Sequence, residues 1–452
     1  ARLVLVLDRS GSMIAETPDR IDRLKTAALD FVNLAENGVE LGLVSFSTVA
    51  TDEEPIAALG ADRSDYTDAI NALVASGRTN IGDGLQHAKD MIAAAGGVTG
   101  NTAIILMTDG VNNEPLPDPA TDLQSKIDML LMQGIPVYVT CTGGDLGLDS
   151  QCAEIAAGTL GTYVDSESGA SLPPAFGLFH ELVMGRQIGA TMEGNFIKPE
   201  TYMVMVEPNV TTATFLLQWQ DANAEGQLLV TDPSGVDYLG MPIPQGEFVR
   251  VSDPMPGDWR VMVSSLAGQS VPSPWVSRAF LQNQNLMFGG HLRMRKVEPG
   301  EPFVIYGHPL YGGPIGPVTV NGMVTKPDGS MVAITLVDTG QVTDSGDDLA
   351  DDGVHTATFT DTAMRGAYSF HLRAVALNPG PLGHTEGPPI TAVQIPNHIR
   401  EVTLSGTVND RVGSEICNGN AYGEAGTDVE VPLVLDTGED VAGFQVDMLY
   451  NP

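Results

Sequence analysis

Apolar segments of strand length alternate with amphipathic helical segments over the first 184 residues, and this alternation limits the folds open to the chain. A strand followed by a helix must cross over to reach its neighbour, which gives a mostly parallel sheet with helices on both faces. We therefore predict a doubly wound, Rossmann-like α/β domain over residues 1–186. The predicted strands are 3–8, 39–46, 103–108, 136–140 and 162–164, and the predicted helices are 22–36, 64–74, 81–95, 121–133 and 170–184.

Helical periodicity disappears after about residue 187, where short alternating runs lie between turn-forming clusters such as Asp232-Pro233-Ser234-Gly235. Short strands between frequent turns are typical of all-β sandwiches. We predict two sandwich domains, 187–280 and 281–377, a Pro/Gly-rich linker at 378–400, and a partial third β domain at 401–452.

The chain is strongly acidic, with 57 Asp and Glu against 22 Lys and Arg and a net charge of −35. Such a surface repels nucleic acid and anionic lipid, so we expect neither as a partner. Solubility, or adaptation to a salty habitat, is an equally good explanation for most of this charge. No stretch of 18 apolar residues is present, so we expect no membrane span.

Both ends of the sequence have strand character, which leads us to expect a fragment of a longer protein. The chain has three cysteines. Cys141 and Cys152 are close enough in sequence to form a disulfide, which would leave Cys417 over, but free thiols are an equally good interpretation.

Three oxygen-bearing side chains follow the first apolar strand at alternate positions: Asp8, Ser10 and Ser12. Residues two apart in an extended loop project the same way, so these three side chains can converge on one point. Gly11 between them permits a tight backbone path.

Two further oxygen ligands are predicted at the same edge of the sheet. Asp109 ends another buried strand, and Thr79 stands at the start of a helix. A set of oxygen ligands without His or Cys suits Mg²⁺, Mn²⁺ or Ca²⁺. Two carboxylates leave such an ion under-neutralised, so we expect a carboxylate from a partner to complete its shell. Asp83 is either an ordinary first-turn helix residue or a supporting acceptor behind the ligands.

These five ligand positions resemble the metal-ion-dependent adhesion site of the von Willebrand factor type A domain. Asp8, Ser10 and Ser12 match the family's first loop, Thr79 matches the second and Asp109 the third. The resemblance covers about 180 residues and implies metal-dependent binding of a protein partner.

The β part resembles the calcium-activated chloride channel regulator family in the segments 215–219, 230–235, 256–261, 351–355 and 366–374. This resemblance implies a type A domain followed by β-sandwich segments, with a zinc hydrolase domain upstream. The nearest approach to a zinc motif here is His180-Glu181-Leu182-Val183-Met184. Because Met184 replaces the second zinc-binding His, we reject that motif and expect packing to explain it.

An acidic segment between predicted strands is a second candidate cation site. It lacks the EF-hand order, since His355 occupies the twelfth position. Structural Ca²⁺ and a solvated acidic turn are both compatible with it. The candidate ligands are Asp344, Asp347, Asp348, Asp351 and Asp352.

The last fifty residues resemble the opening strands of a cohesin domain, in 429–435 and 441–452. Cohesins bind dockerin modules, so the resemblance implies a dockerin partner and a scaffolding or cell-surface role. A generic pair of sandwich strands is the alternative.

No nucleophile elbow or phosphate-binding loop is present, and we expect the chain not to be an enzyme. The leading hypothesis is an extracellular or cell-surface adhesion or scaffold protein, with the β domains as a stalk. The alternative is an accessory region of a larger secreted hydrolase whose catalytic domain lies outside this sequence. An intracellular chelatase-type or chaperone-type module is a third hypothesis.

Overall fold

The N-terminal part of the chain is an α/β domain, seen here in a computed structural model. The structure describes residues 1–15, 19–143, 146–166, 172–221, 223–266, 273–311, 315–316, 318–340, 350–376, 380–381, 396–409, 415–418 and 433–436. Six strands of the α/β domain form one sheet: β1 Arg2–Asp8, β2 Glu40–Phe46, β3 Ala50–Ala58, β4 Thr102–Thr108, β5 Val137–Cys141 and β6 Tyr163–Asp165. Its helices are α1 Arg20–Leu34, α2 Ser64–Ala72, α3 Ile81–Ala94, α4 Pro119–Met132, α5 Leu146–Gly158 and α6 Leu172–Val183, with a short 3₁₀ helix at Gly11–Ile14.

The sheet order is β3-β2-β1-β4-β5-β6, with β1 in the interior. All neighbouring strands are parallel except β2 and β3, which pair antiparallel. The chain leaves β1 towards β2 on one side, and β4 pairs on the other side. The order therefore reverses between β1 and β4, where doubly wound sheets bind their ligands.

Each face of the sheet is covered by helices, which explains why β1 is apolar at every position from Leu3 to Leu7. Leu3, Leu5 and Leu7 pack with α1, α2 and α6, whereas Val4 and Val6 pack with α3, α4 and α5. A strand buried on both faces needs apolar side chains at odd and even positions alike. This confirms the predicted α/β fold with a mostly parallel sheet.

Two elements of this domain are not predicted from the sequence. The antiparallel edge strand β3 is largely polar and partly exposed, and α5 lies between β5 and β6. Cys141 at the end of β5 forms a disulfide with Cys152 in α5, with 6.5 Å between their Cα atoms. The structure thus selects the paired form of the two cysteine interpretations. No helix in the described part of the chain combines the length and apolarity that a membrane crossing requires.

The remainder of the described chain is β-structure, antiparallel except for the parallel pairing of β17 with β25. Its strands are β7 Gln187–Asn195, β8 Glu200–Val206, β9 Thr212–Trp219, β10 Gly226–Thr231, β11 Asp237–Leu239, β12 Met241–Ile243, β13 Gly246–Ser252, β14 Gly257–Ser265, β15 Pro274–Gln282, β16 Leu286–Leu292, β17 Lys296–Val297, β18 Phe303–Tyr311, β19 Ile315–Gly316, β20 Thr319–Thr325, β21 Met331–Leu336, β22 His355–Phe359, β23 Gly366–Ala376, β24 Gly380–Pro381, β25 His398–Val408, β26 Glu415–Asn418 and β27 Leu433–Asp436. The main sheets have the orders β11-β10-β14-β8, β12-β13-β9-β15-β7-β25-β23-β20-β21 (with β17 on β25) and β16-β18-β22. β19 pairs with β24, and β26 pairs with β27.

Facing sheets enclose two apolar cores in this part, as expected for β-sandwiches. The first core gathers residues of β8, β9, β10, β13, β14 and β15 around Phe215 and Trp259, whose rings stack 5.4 Å apart. The second surrounds Phe303 and Phe370. The buried Trp219, Trp259 and Trp275 all belong to the first core, in agreement with a packing role. The number of domains stays a prediction.

The boundary predicted near residue 400 does not match the strands. β25 begins at His398, inside the predicted linker 378–400, and runs to Val408. It pairs with β23 along eleven positions, from Gly366 opposite Val408 to Ala376 opposite His398. This long-range pairing joins residues 398–408 to β23 and buries Leu404 and Val408 in the second core, while the predicted domain bounds stay a prediction.

The β part packs against the helices of the α/β domain and does not extend away from it as the expected stalk. An apolar cluster joins Leu34 of α1 and Leu178 of α6 to Phe248 and Phe280 of the first sandwich. On the other side, Tyr163 N of β6 donates to Ser405 Oγ of β25 at 2.9 Å. Both contacts bury surface that a free stalk would expose.

The rejected zinc motif belongs to the first of these interfaces. His180 and Glu181 are fully buried, and His180 Nδ1 lies 2.8 Å from Glu181 Oε1. Glu181 also accepts hydrogen bonds from Arg186 at 2.9 Å and from Arg250 of β13 at 2.8 Å. These contacts are structural, as the sequence interpretation expected, because both carboxylate oxygens of Glu181 are bonded to neighbouring side chains, including Arg250 of the β part.

A buried carboxyl group, Asp30 of α1, lies at the same interface. Its Oδ1 accepts a hydrogen bond from Gln245 N at 3.0 Å, while its Oδ2 has no hydrogen-bond partner. Gln218 Oε1, also buried there, likewise has no partner. Burial raises the pKa of Asp30 to about 7, although the hydrogen bond from Gln245 N acts in the opposite direction.

This burial predicts a pH-dependent stability. The folded state binds a proton on Asp30 more tightly than the unfolded state, so the contribution of this residue to stability is greatest below its ordinary pKa of 3.8 and is lost as the pH rises through about 7. Asp30→Asn should remove this dependence and stabilise the alkaline protein by roughly 2–4 kcal/mol, at about 1.4 kcal/mol for each pKa unit. Thermal unfolding across the pH range measures it. Asp22→Asn, at an exposed position on the same helix, is the control, and an unchanged profile in Asp30→Asn would contradict the prediction.

Candidate metal centre

The predicted metal ligands lie where β1 and β4 end. The two strands are parallel neighbours in register from Arg2 opposite Thr102 to Leu7 opposite Met107. Asp8 is the last residue of β1, and Asp109 follows directly after β4. Parallel pairing therefore places both carboxyl groups at the same edge of the sheet, next to the point where the strand order reverses.

The first loop turns tightly around Asp8. Asp8 Oδ1 accepts a hydrogen bond from Ser10 N at 2.6 Å, and Asp8 Oδ2 accepts one from Thr108 Oγ1 at 2.6 Å. Gly11 N donates to Gly77 O at 3.0 Å, and a Cβ on Gly11 would lie only 3.2 Å from that oxygen. The close approach of these two loops favours glycine at position 11, in agreement with the tight backbone path expected from the sequence.

A chain of hydroxyl contacts connects the first loop to the third. Ser10 Oγ lies 3.0 Å from Ser12 Oγ, and Ser12 Oγ donates to Asp109 Oδ1 at 2.6 Å. Thr79, from the second loop, lies beside the third, because a Cβ built on Gly110 would be 3.0 Å from Thr79 Oγ1 and 3.6 Å from Ser12 Oγ. The structure thus brings the oxygens of three separate loops together.

The electrostatics of this group favour a cation. Asp8 is fully buried, and Ser10, Thr79 and Asp109 are less than a tenth exposed. Burial, together with the nearby charge of Asp109, raises the pKa of Asp8 to about 6. Two carboxylates that repel each other in a poorly hydrated position are stabilised by a positive charge placed between them.

Three residues at the site are not predicted from the sequence. Thr108 donates to Asp8, Asn113 Oδ1 accepts from Thr79 N at 3.0 Å, and Arg20 Nη1 lies 3.0 Å from Asp109 Oδ2. Thr108 and Asn113 are close in sequence to Asp109, which is a usable signal. Nothing in the sequence pattern points to Arg20.

Asp83 lies outside the ligand group. Its Oδ2 accepts a hydrogen bond from Ala50 N of β3 at 2.6 Å, and its Oδ1 is 3.9 Å from His87 Nε2. Its contacts connect the start of α3 to the edge strand, which favours the helix-residue interpretation over that of a supporting acceptor.

The donor set fits a hard divalent cation. It consists of two carboxylates and three hydroxyls, which are the ligand types of Mg²⁺, Mn²⁺ and Ca²⁺. Within the described residues, no group of three or more His, Cys, Asp or Glu side chains is arranged to hold a metal. The soft or nitrogen-rich sites that Zn²⁺ prefers are therefore absent from that part of the chain.

The predicted acidic cation site is only partly covered by the structure. Asp344, Asp347 and Asp348 lie outside the described residues. Asp351 has a φ of 58°, and Asp352 N donates to Asp338 Oδ1 at 3.2 Å. Calcium binding there stays a prediction. The cohesin-like segment beyond β25 also lies outside the described residues, except for β26 and β27, so dockerin binding stays a prediction too.

The fold and the site geometry define a class of protein. Residues 3–112 match the family model of the von Willebrand factor type A domain. The chain therefore carries a type A domain at its N-terminal end, followed by antiparallel β-sheets.

Beyond this domain, the chain is similar to calcium-activated chloride channel regulators. It is 24% identical over 399 residues to regulator 3A-1 of Mus musculus, which covers 82% of this chain and 42% of that protein. It is 26% identical over 407 residues to regulator 4 of Homo sapiens, with coverage of 82% and 40%. The chain thus spans less than half of the length of these relatives.

A solved structure described as von Willebrand factor type A from Catenulispora acidiphila covers 68% of this chain and 62% of its own, at 16% identity. Its TM-score of 0.37 is too low to support a conclusion about function.

The contact between Thr108 and Asp8 generates a stability prediction. Thr108→Val removes the donor to a buried carboxylate oxygen and should destabilise the protein by about 1–3 kcal/mol. Thr140→Val on neighbouring β5 is the matched control, because the Thr140 hydroxyl is buried without a hydrogen-bond partner and its loss should cost nothing. Chemical denaturation of both variants measures the difference. Equal effects would show that the hydroxyl of Thr108 does not support Asp8.

Proposed function

We propose that the chain binds a protein partner by its carboxylate, through a divalent cation held by Asp8, Ser10, Ser12, Thr79 and Asp109. The observation that supports this most is the convergence of these five oxygen-bearing side chains from three loops at the reversal point of the sheet. Mg²⁺ is the ion that this donor set suits best, with Mn²⁺ and Ca²⁺ as alternatives.

Charge supports binding to an acidic group. Two carboxylates balance a divalent ion only if no other cation competes for them, and Asp109 already pairs with Arg20. Bound at this site, the ion would supply an electrophilic coordination position. A carboxylate is the protein group that fills such a position with the charge it lacks.

We propose binding rather than catalysis, because both carboxylates already accept hydrogen bonds from hydroxyls, Asp109 Oδ1 from Ser12 and Asp8 Oδ2 from Thr108. The hydroxyls of Ser10 and Ser12 contact each other and Asp109, and the described site contains no histidine partner for them.

A location outside the cell, or at its surface, accords with two features of the chain. The disulfide between Cys141 and Cys152 is of the kind that persists in oxidising compartments. The second feature is the similarity of this chain, over 82% of its length, to the calcium-activated chloride channel regulators.

The alternative function is an accessory region of a larger secreted hydrolase. It is favoured by one observation, that the chain covers 40–44% of the length of its relatives. A full-length product with a catalytic domain before residue 1 would support this alternative. A full-length product with no hydrolase domain there would oppose it.

Removal of either carboxylate should remove the metal. Asp8→Ala and Asp109→Ala are each expected to abolish Mg²⁺ binding in calorimetry while the β part stays folded, because it has cores of its own. Asp65→Ala, which removes the same charge from an exposed position on α2, should bind Mg²⁺ like the unmodified chain. Undiminished Mg²⁺ affinity in both site variants would contradict the proposal.

The partner itself is tested by capture from a native cell-surface fraction. A protein retained by the unmodified chain in Mg²⁺, released by a chelator and not retained by Asp8→Ala is expected. Retention that is indifferent to the chelator would contradict a metal bridge.

A further inference from the structure

Arg20 is a charged residue within the metal site that the ligand set does not include. Its Nη1 lies 3.0 Å from Asp109 Oδ2, whereas the other oxygen of Asp109 accepts the hydrogen bond from Ser12. The Arg20 side chain is 16% exposed and that of Asp109 is fully buried. This is a close ion pair with little solvent screening, so the positive charge of Arg20 acts on the whole site.

Arg20 is placed by the start of α1, by the end of the first loop and by the backbone after β5. Arg20 is the first residue of α1, and its backbone N donates to Ala15 O at 3.1 Å. A Cβ on Gly143, after β5, would lie 3.5 Å from Arg20 Nη1. The guanidinium therefore lies near the backbone after β5, and it contacts the oxygen of Asp109 that Ser12 does not.

The charge balance of the site changes when Arg20 is counted. Asp8 and Asp109 contribute two negative charges, and Arg20 compensates for one of them. A divalent cation would then face one uncompensated negative charge and keep a net charge near +1. Neutral ligands such as water or a hydroxyl leave that excess in place, whereas one carboxylate cancels it.

We infer that Arg20 determines the ligand preference of the metal site. It weakens the hold of the protein alone on the ion and makes a singly charged anionic ligand the group that completes the charge balance. The inference rests on the proposed function and adds to it a specificity-determining residue. It also implies that metal and anion bind with positive coupling, because each supplies the charge that the other needs.

A purely structural role for Arg20 makes the opposite prediction. If the guanidinium served only to hold Asp109 in place, its removal would disorder a ligand and weaken Mg²⁺ binding. If it sets the charge, its removal frees Asp109 for the ion and strengthens Mg²⁺ binding. The direction of the change in affinity therefore separates the two roles.

The experiment measures Mg²⁺ affinity by calorimetry on the full chain, in sodium acetate and in sodium chloride at matched ionic strength, with acetate as the carboxylate probe. Arg20→Gln is expected to bind Mg²⁺ roughly tenfold more tightly in chloride, since an opposing charge within a few ångströms of the ion is gone. For the unmodified chain we expect acetate to tighten Mg²⁺ binding. In Arg20→Gln the ratio of the affinities in acetate and in chloride should fall to near unity. Arg20→Met, which keeps the apolar part of the side chain, should behave like Arg20→Gln. Either variant alone is enough for the test if the other fails to fold.

Two further variants act as controls. Arg20→Lys keeps the charge and should retain the coupling between acetate and Mg²⁺. Lys25→Gln removes one positive charge from the same helix and should leave both affinities unchanged.

Weaker or unchanged Mg²⁺ binding in the folded Arg20 variants would overturn the inference, as would an acetate effect that survives in them. These outcomes leave the proposed function intact as long as the unmodified chain binds Mg²⁺ and Asp8→Ala does not. Failure of the unmodified chain to bind Mg²⁺ would instead overturn the proposed function, and the inference with it.

Discussion

The parallel pairing of β1 with β4 is the constraint on which the rest of the site depends. Both strands are buried on two faces and are parallel neighbours in the sheet. Asp8 and Asp109, at the ends of these strands, therefore lie next to each other at the edge of the apolar interior. Asp8 and Asp109 repel each other there, and desolvation increases the cost. Thr108, Ser12 and Arg20 stabilise the two carboxylates by donating hydrogen bonds and, from Arg20, a positive charge. A divalent cation would compensate for the negative charge that is left.

Helix α1 connects this site to the β part of the chain. It starts at Arg20, beside Asp109, and ends at Leu34, which packs against the first sandwich. Its fifteen residues span roughly 22 Å at 1.5 Å per residue. Asp30 on the same helix bonds to Gln245 of the sandwich. The β part therefore packs against helices on both faces of the sheet, α1 and α6 on one and α5 on the other, which differs from the separate stalk that the order of the segments alone suggests.

Much of the α/β domain could be predicted because its signals are local. The predicted strand 103–108 is observed as Thr102–Thr108, and the predicted helix 64–74 as Ser64–Ala72. β3 could not be predicted, since its acidic, partly exposed residues become a strand only through pairing with β2. α5 has no single apolar stripe, because it is covered by the sheet on one side and by β23 and β25 on another. The long-range partner of β25 is equally invisible in a local pattern.

The sequence by itself determined which oxygens stand at the ends of the buried strands, because an apolar run followed by Asp8, and another followed by Asp109, can be recognised from neighbouring residues alone. Only the tertiary structure decided what neutralises them. Arg20 reaches Asp109 across 89 positions of the chain, and Thr108 reaches Asp8 across 100. Charge compensation and desolvation depend on distance in space, and a linear pattern contains no measure of that distance. The cations and hydroxyls that set the character of the site were therefore fixed by folding.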